Sequence, residues 1–286
     1  MVHTTSSVHV DPANAEQARA WDGDEGRYWA TNAERFDQAV AVHHRALFER
    51  VGIGATDQVL DVGCGTGQTT RTAARAAASG SALGVDLSSQ MIELARRLAV
   101  AEGIANARFQ QADAQIYPFT ADVYDIAISR TGAMFFGDPV VAFGNLGRAL
   151  RPRGRLVLLA WQAPPHNEWI RELATALAAG RNLPLPPADA PGPFSMAEPE
   201  RVRSILNTAG FAGVQFEGLS APMYFGADAN DAFGFVLGLM GWMLEGLDEA
   251  GRERALEALR TTLAAHDDGD GVRFDSAAWI ITGRKG

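Results

Sequence analysis

The chain has 286 residues, 47% of them hydrophobic, and a formal net charge of -9 at pH 7, which suits one soluble domain and disfavours nucleic acid, whose protein partners carry a basic stripe. Its one cysteine, Cys64, allows no internal disulfide and fits a reducing, cytoplasmic setting. His3, Thr4, Thr5 and Asp11 stand where a secretory signal would be basic and then apolar, and residues 232–244, the longest uncharged apolar run, are too short and glycine-broken to span a membrane.

Residues 13–51 read as a helical lid carrying Trp21, Tyr28, Trp29 and Phe36. An apolar strand (Val59, Leu60, Val62) then leads into Asp61-Val62-Gly63-Cys64-Gly65-Thr66-Gly67 and a helix over 68–78. Three glycines at alternate positions let the backbone bend sharply and let a ligand lie against bare peptide. A dinucleotide fingerprint would place glycine at 68, where the chain has Gln68. Asp61 at the strand end would also repel a pyrophosphate brought to the helix N-terminus. S-adenosylmethionine, with no phosphate, a sulfonium and a free amino group, suits this turn.

The second strand, residues 81–86, ends in Asp86, about 20 residues past the glycines, the separation at which a carboxylate reaches ribose hydroxyls. Ser88 is the N-cap of the next helix, whose first turn brings Leu87 and Met91 to flank an adenine. A third strand, 107–112, ends at Asp113-Ala114, where a carboxylate is placed to accept from an adenine amino group. The fourth strand covers 124–129, and Asp138-Pro139 caps and opens the helix behind it. Residues 155–161 form a fifth, fully buried strand. Strands alternating with helices argue a parallel sheet covered on both faces.

Beyond Trp161 the rhythm changes. Two short helices, 168–179 and 199–209, flank a proline-rich connector, and Gly210 ends the second. Residues 213–217 form a sixth strand and 277–282 a last one, with a helical insertion over 230–266 between them. Its aromatic and methionine stripe, with Trp242, makes it a candidate substrate cap.

These residues together resemble the class I S-adenosylmethionine-dependent methyltransferases, in particular the small-molecule group that includes quinone-biosynthesis C-methyltransferases. The likeness is tight over residues 50–162. It implies an α/β, doubly wound, seven-stranded, mostly parallel sheet of Rossmann-like form under a helical cap, with the last strand antiparallel between the fifth and sixth. It implies one domain over 1–286: a lid (13–51), a cofactor core (52–162), a connecting part (163–229), a cap (230–268) and the last strand (274–286). By the same resemblance Asp61, Gly63, Cys64, Gly65 and Gly67 hold the methionyl part, Asp86 the ribose, and Leu87, Met91, Asp113 and Ala114 the adenine. Ser129 and Arg130 would lie beside the methionyl amino group, and Tyr28 would close over the cofactor. The run Ser129-Arg130-Thr131-Gly132-Ala133-Met134-Phe135-Phe136 looks like this group. At Arg151-Pro152-Arg153-Gly154 the chain departs from it, since the group more often has two glycines after the proline.

The acceptor expected is a small, largely apolar molecule, natural-product or quinone-like, walled by Trp29, Met134, Trp161 and Trp242, and no metal is expected. Methyl transfer from a sulfonium needs alignment and exclusion of water more than side-chain chemistry. A base is needed where the acceptor must lose a proton, and histidine suits neutral pH. His44, on the helical face of Phe36, Val40, Leu47 and Val51, and His166, just past the fifth strand, are the candidates, with His43 at the edge of that face. The alternatives are a nicotinamide-dependent oxidoreductase, opposed by Asp61 and Gln68, and a protein that binds S-adenosylmethionine without methylating.

Overall fold

The computed structural model of the protein describes residues 8–183, 187 and 189–286. The expected lack of a secretory signal at His3, Thr4 and Thr5 and the connector residues Pro184, Leu185, Pro186 and Ala188 lie outside the described residues. The N-terminal stretch is four short helices, α1 (Ala15–Trp21), α2 (Asp24–Thr31), α3 (Ala33–Ala39) and α4 (Ala41–Val51). There follow β1 (Gln58–Val62), α5 (Gln68–Ala76), β2 (Ser81–Asp86), α6 (Ser89–Ala101), β3 (Ala107–Gln111), β4 (Tyr124–Arg130), α7 (Pro139–Ala149) and β5 (Leu150–Trp161). The chain is completed by α8 (Glu168–Ala178), α9 (Pro199–Thr208), β6 (Phe211–Gly226), α10 (Ala229–Met240), α11 (Glu249–Ala265) and β7 (Val272–Lys285).

The strands form one seven-stranded sheet in the order β3-β2-β1-β4-β5-β7-β6, with β7 antiparallel to both neighbours. The order runs outward from β1 to β3, then returns to β4 on the other side of β1. Right-handed crossovers therefore send α5 and α6 to one face and α7 to the other, and the carboxyl ends of β1 and β4 flank the crevice where such sheets bind ligands. Val59, Leu60, Ile126, Ile128 and Leu156 are fully buried between these layers, each side chain contributing about 1.5–3 kcal/mol.

Local chemistry sets the helix starts. Ser88 Oγ accepts from Met91 N and Asp138 Oδ1 from Val141 N, with Pro139 at the first helical position, each cap holding an amide that the helix itself leaves unpaired.

Three expectations change. α4 is a sheet-layer helix against β4, β5 and β6, so only the part of the lid before it roofs the site. On α4 it is His43, in step with Leu47 and Val51 at four-residue spacing, that is buried, while His44 is partly exposed. The sixth and last strands, read as short, extend to Phe211–Gly226 and Val272–Lys285 because they pair with each other from Phe211↔Lys285 to Gly226↔Val272, well past the end of β5. Ala221, Met223 and Phe225 alternate inward along this arm. Among the described residues no helix is long and apolar enough to cross a membrane.

Candidate functional site

The carboxyl ends of β1, β2, β3 and β4 open into one cavity of about 740 Å³. Its cradle end is backbone and acids: Gly63 to Thr66, Val85 to Leu87, Ala112 to Ala114 and Arg130 to Gly132. Its other end is apolar, with Trp29 and Phe36 from the lid, Trp161 and Trp169, Met223 and Phe225 from β6, and Phe235 and Trp242 from the cap.

The glycines of the turn have different reasons to be glycine. A Cβ on Gly63 would stand 2.7 Å from the Gly132 Cα, and one on Gly67 2.6 Å from the Phe109 ring. Those two serve packing. At Gly65, with φ +53°, a Cβ would meet only Met91 Sδ at 3.7 Å, and it would take up the space a ligand needs. The turn is fixed from below by side chains of α5: Thr70 Oγ1 donates to Asp61 Oδ2 at 2.6 Å and Arg71 Nη1 to the Thr66 carbonyl at 2.7 Å. This is why α5 buries Thr70 and Arg71, polar residues that a purely structural helix would expose.

Asp61 is fully buried under the turn and is not in the cavity wall; its Oδ1 has no partner among the described residues. Burial pushes its carboxyl up to about 7, against the pull of the Thr70 hydroxyl and the Arg130 charge. Asp86 lines the cavity, accepting from Gly65 N on Oδ2 and Ser88 N on Oδ1; burial raises its pKa against these bonds. Asp113 and Ala114 also line it, beside Asn14. Cys64 is in the wall as well, and burial pushes its thiol well up, which keeps it protonated and inert.

Ser129 is buried outside the wall, its Oγ donating to the Val62 carbonyl at 2.6 Å and accepting from Ala133 N at 3.0 Å. Arg130 lines the cavity but its guanidinium is taken: Asp37 Oδ1 at 2.9 Å, His44 Nδ1 at 3.2 Å and the Gln68 amide oxygen. Tyr28 is in the wall, and its hydroxyl donates to the Phe235 carbonyl of the cap at 3.0 Å. It clasps lid to cap, packed on Gly238, where a Cβ would collide with its ring.

Of the residues expected to meet the acceptor, Trp29, Met134, Trp161 and Trp242 all line the cavity. Trp29 stacks on Phe36 at 3.6 Å, and Trp242, 66% exposed, stands at the mouth. The structure keeps both histidine candidates out of the wall. His166 is exposed in the turn after β5 and does not line the cavity. His44 has both nitrogens engaged, by Arg130 and by Thr72 Oγ1 at 3.2 Å, and burial and the Arg130 charge lower its pKa to about 4. His43 hydrogen-bonds Ser276 Oγ at 2.9 Å through Nε2 and is lowered to about 4 for the same two reasons, burial the larger.

Asn14, Asp37, Met223 and Phe225 also line the wall, without being expected there from the sequence. The alternation Ala221, Met223, Phe225 carried a strand signal that reaches the last two. Asn14 and Asp37 had none. Glu168, Glu172 and His266 form a cluster of ligand-type side chains outside the cavity, with His266 Nε2 2.9 Å from Glu172 Oε2.

A family model described as "Methyltransferase domain" matches residues 59–154. The ubiquinone/menaquinone biosynthesis C-methyltransferase UbiE of Cellvibrio japonicus is 30% identical over 189 residues, covering 62% of this chain and 75% of that protein. The uncharacterized methyltransferase YcgJ of Bacillus subtilis is 36% identical over 110 residues, 38% of this chain and 43% of its own length. The chain thus spans about half the length of the first curated relatives it matches. The crystal structure of YcgJ superposes with a TM-score of 0.57 at 22% identity over 85% of this chain and 98% of its own. The [4+2]-cyclase SpnF superposes with a TM-score of 0.56 at 19% identity over 98% of each chain.

Proposed function

The chain belongs to the class I S-adenosylmethionine-dependent methyltransferases, and from that premise we propose that it moves the cofactor's methyl group to an O, N or C atom of a small, largely apolar acceptor. One observation carries the reading: the acid-bearing strand ends and the aromatic chamber belong to a single cavity, so cofactor and acceptor meet without crossing solvent. The residues present fit the cofactor. Gly65 leaves bare backbone, Asp61 holds an unpartnered buried oxygen, and Asp86 keeps lone pairs beyond its two amide bonds.

The cofactor supplies an activated methyl group on a sulfonium. In this reading Asp86 would accept from the ribose hydroxyls, Leu87 and Met91 would flank the adenine, and the backbone at Gly63 and Arg130 would hold the ammonium. Asp61 adds negative charge beneath it. Trp29, Met134, Trp161 and Trp242 hold the acceptor and exclude water, which strengthens every charge interaction inside. With His44 and His166 outside the wall, alignment and desolvation carry the transfer, and an acceptor that ionises easily suits the site best. The UbiE relative is named for quinone biosynthesis, which matches an apolar ring acceptor. The single cysteine fits a cytoplasmic enzyme.

S-adenosylmethionine and S-adenosylhomocysteine should raise the melting temperature, because they bind only the folded state. Transfer of labelled methyl to hydroxylated aromatic and quinol acceptors tests the reaction. A shift with NADP and none with S-adenosylhomocysteine would return the site to a nicotinamide cofactor. A shift without transfer to any acceptor would favour a protein that binds S-adenosylmethionine without methylating.

A further inference from the structure

We infer that Asn14 is a positioning residue of the cofactor site, setting the Asp113 carboxylate so that one acceptor position is left for the amino group of adenine. The inference rests on the cofactor reading above. Asn14 ends a 3-10 turn at Pro12–Asn14, yet it is only 2% exposed and lines the cavity beside Asp113. A buried amide has to be partnered at both ends. Asn14 Nδ2 donates to Asp113 Oδ1 at 2.8 Å, and Asn14 Oδ1 accepts from Gly137 N at 2.6 Å. One side chain therefore ties the N-terminal segment to the end of β3 and to the loop after β4.

Asp113 receives two further donors, Asp11 N on Oδ2 at 3.0 Å and Gln115 N on Oδ1 at 2.9 Å. An ionised carboxylate offers about four acceptor positions, so these three donors leave one. It accepts only, which welcomes the 6-amino group of adenine and opposes a 6-oxo group, whose oxygen would face it with no proton between. Two of the three donors come from the segment before α1. Without Asn14 the carboxylate keeps only its two backbone donors, a second acceptor position opens to water, and its preference for an amino group falls.

The test compares S-adenosylhomocysteine with its 6-oxo analogue, S-inosylhomocysteine, by calorimetry on the whole protein. The wild type should prefer the adenosyl compound by about a hundredfold or more, as sites built around a polar group do. Asn14→Ala should narrow that ratio to about tenfold or less, mostly by weakening the adenosyl compound. Asn14→Ser, which keeps a small polar side chain in the turn but cannot reach Asp113, should do the same and serves if the alanine variant folds poorly. A purely structural role would weaken both compounds by one factor; an unchanged ratio in both variants therefore overturns the inference. Binding of neither compound to the wild type overturns the cofactor reading, and this inference with it.

Discussion

The cradle and the chamber share one cavity but are held together differently. The cradle is fixed mostly by hydrogen bonds between strand ends and the turns beside them, as where Asp86 takes both Gly65 N and Ser88 N, with Asp11 and Asn14 added on Asp113 from the N-terminal segment. The chamber is enclosed by surfaces from distant parts of the chain: Tyr28 reaches the Phe235 carbonyl across 207 residues, and Arg35 bonds the Phe225 carbonyl at 3.0 Å and Asp231. Its interior is ring on ring, Trp29 on Phe36 and Trp161 edge-on to Trp169 at 6.0 Å. Directional bonds admit one ligand. Apolar packing admits a class of them, so in the proposed function the choice of acceptor falls to the surfaces where lid, cap and the β6–β7 arm meet.

The largest effect expected is on the cradle. Gly65→Val should reduce S-adenosylhomocysteine affinity beyond detection by calorimetry, while strain at positive φ costs the apo protein about 1–3 kcal/mol. Substantial retained affinity would show that the ligand does not lie over Gly65. Asp86→Ala should cost about 1.5–3 kcal/mol of cofactor affinity. Because Asp86 also holds two backbone amides, its melting temperature should fall too, a loss the sequence alone gave no reason to expect.

Gly238→Ala tests the chamber. A Cβ there would stand 2.1 Å from the Tyr28 ring, so lid and cap must part and admit water. Methyl transfer should fall by about tenfold or more, as small misplacements of bound groups do, with S-adenosylhomocysteine affinity unchanged. An equal loss in both would mean that cradle and chamber are not separable.

Asp61→Asn sharpens the contrast by pH. With its folded pKa raised to about 7, Asp61 favours folding fully only below the ordinary carboxylate range near pH 4, and that contribution is lost progressively as pH rises from there to 7. The apo variant should therefore melt closest to the wild-type temperature near pH 4 and above it at pH 8, while binding S-adenosylhomocysteine less well at pH 8. Parallel melting profiles would remove Asp61 as a strained charge kept for a cation.

The smallest effect concerns the departure at Arg153, which adopts φ +65°, the region that glycine enters without cost. Arg153→Gly should raise unfolding free energy by about 0.5–1 kcal/mol in denaturant titration, with no change in cofactor binding.

Much of the cradle was legible in the sequence because its signals are local. Gly65, Asp86, the Ser88 cap and the Asp138-Pro139 helix start each announce themselves within a few residues, since turn geometry and capping are short-range. Strand order and the antiparallel place of β7 came with the family resemblance. What only the tertiary structure decided is long-range. The length of β6 and β7 follows from their pairing with each other, the Tyr28 hydroxyl is assigned by a carbonyl of the cap, and His43 rather than His44 turns inward because the β-sheet lies on that side of α4. Asn14 meets Asp113 across 99 residues. A hydrogen bond of that span leaves no periodicity and no spacing in the sequence, and it forms only once the sheet has brought the two strand ends and the N-terminal segment to one place.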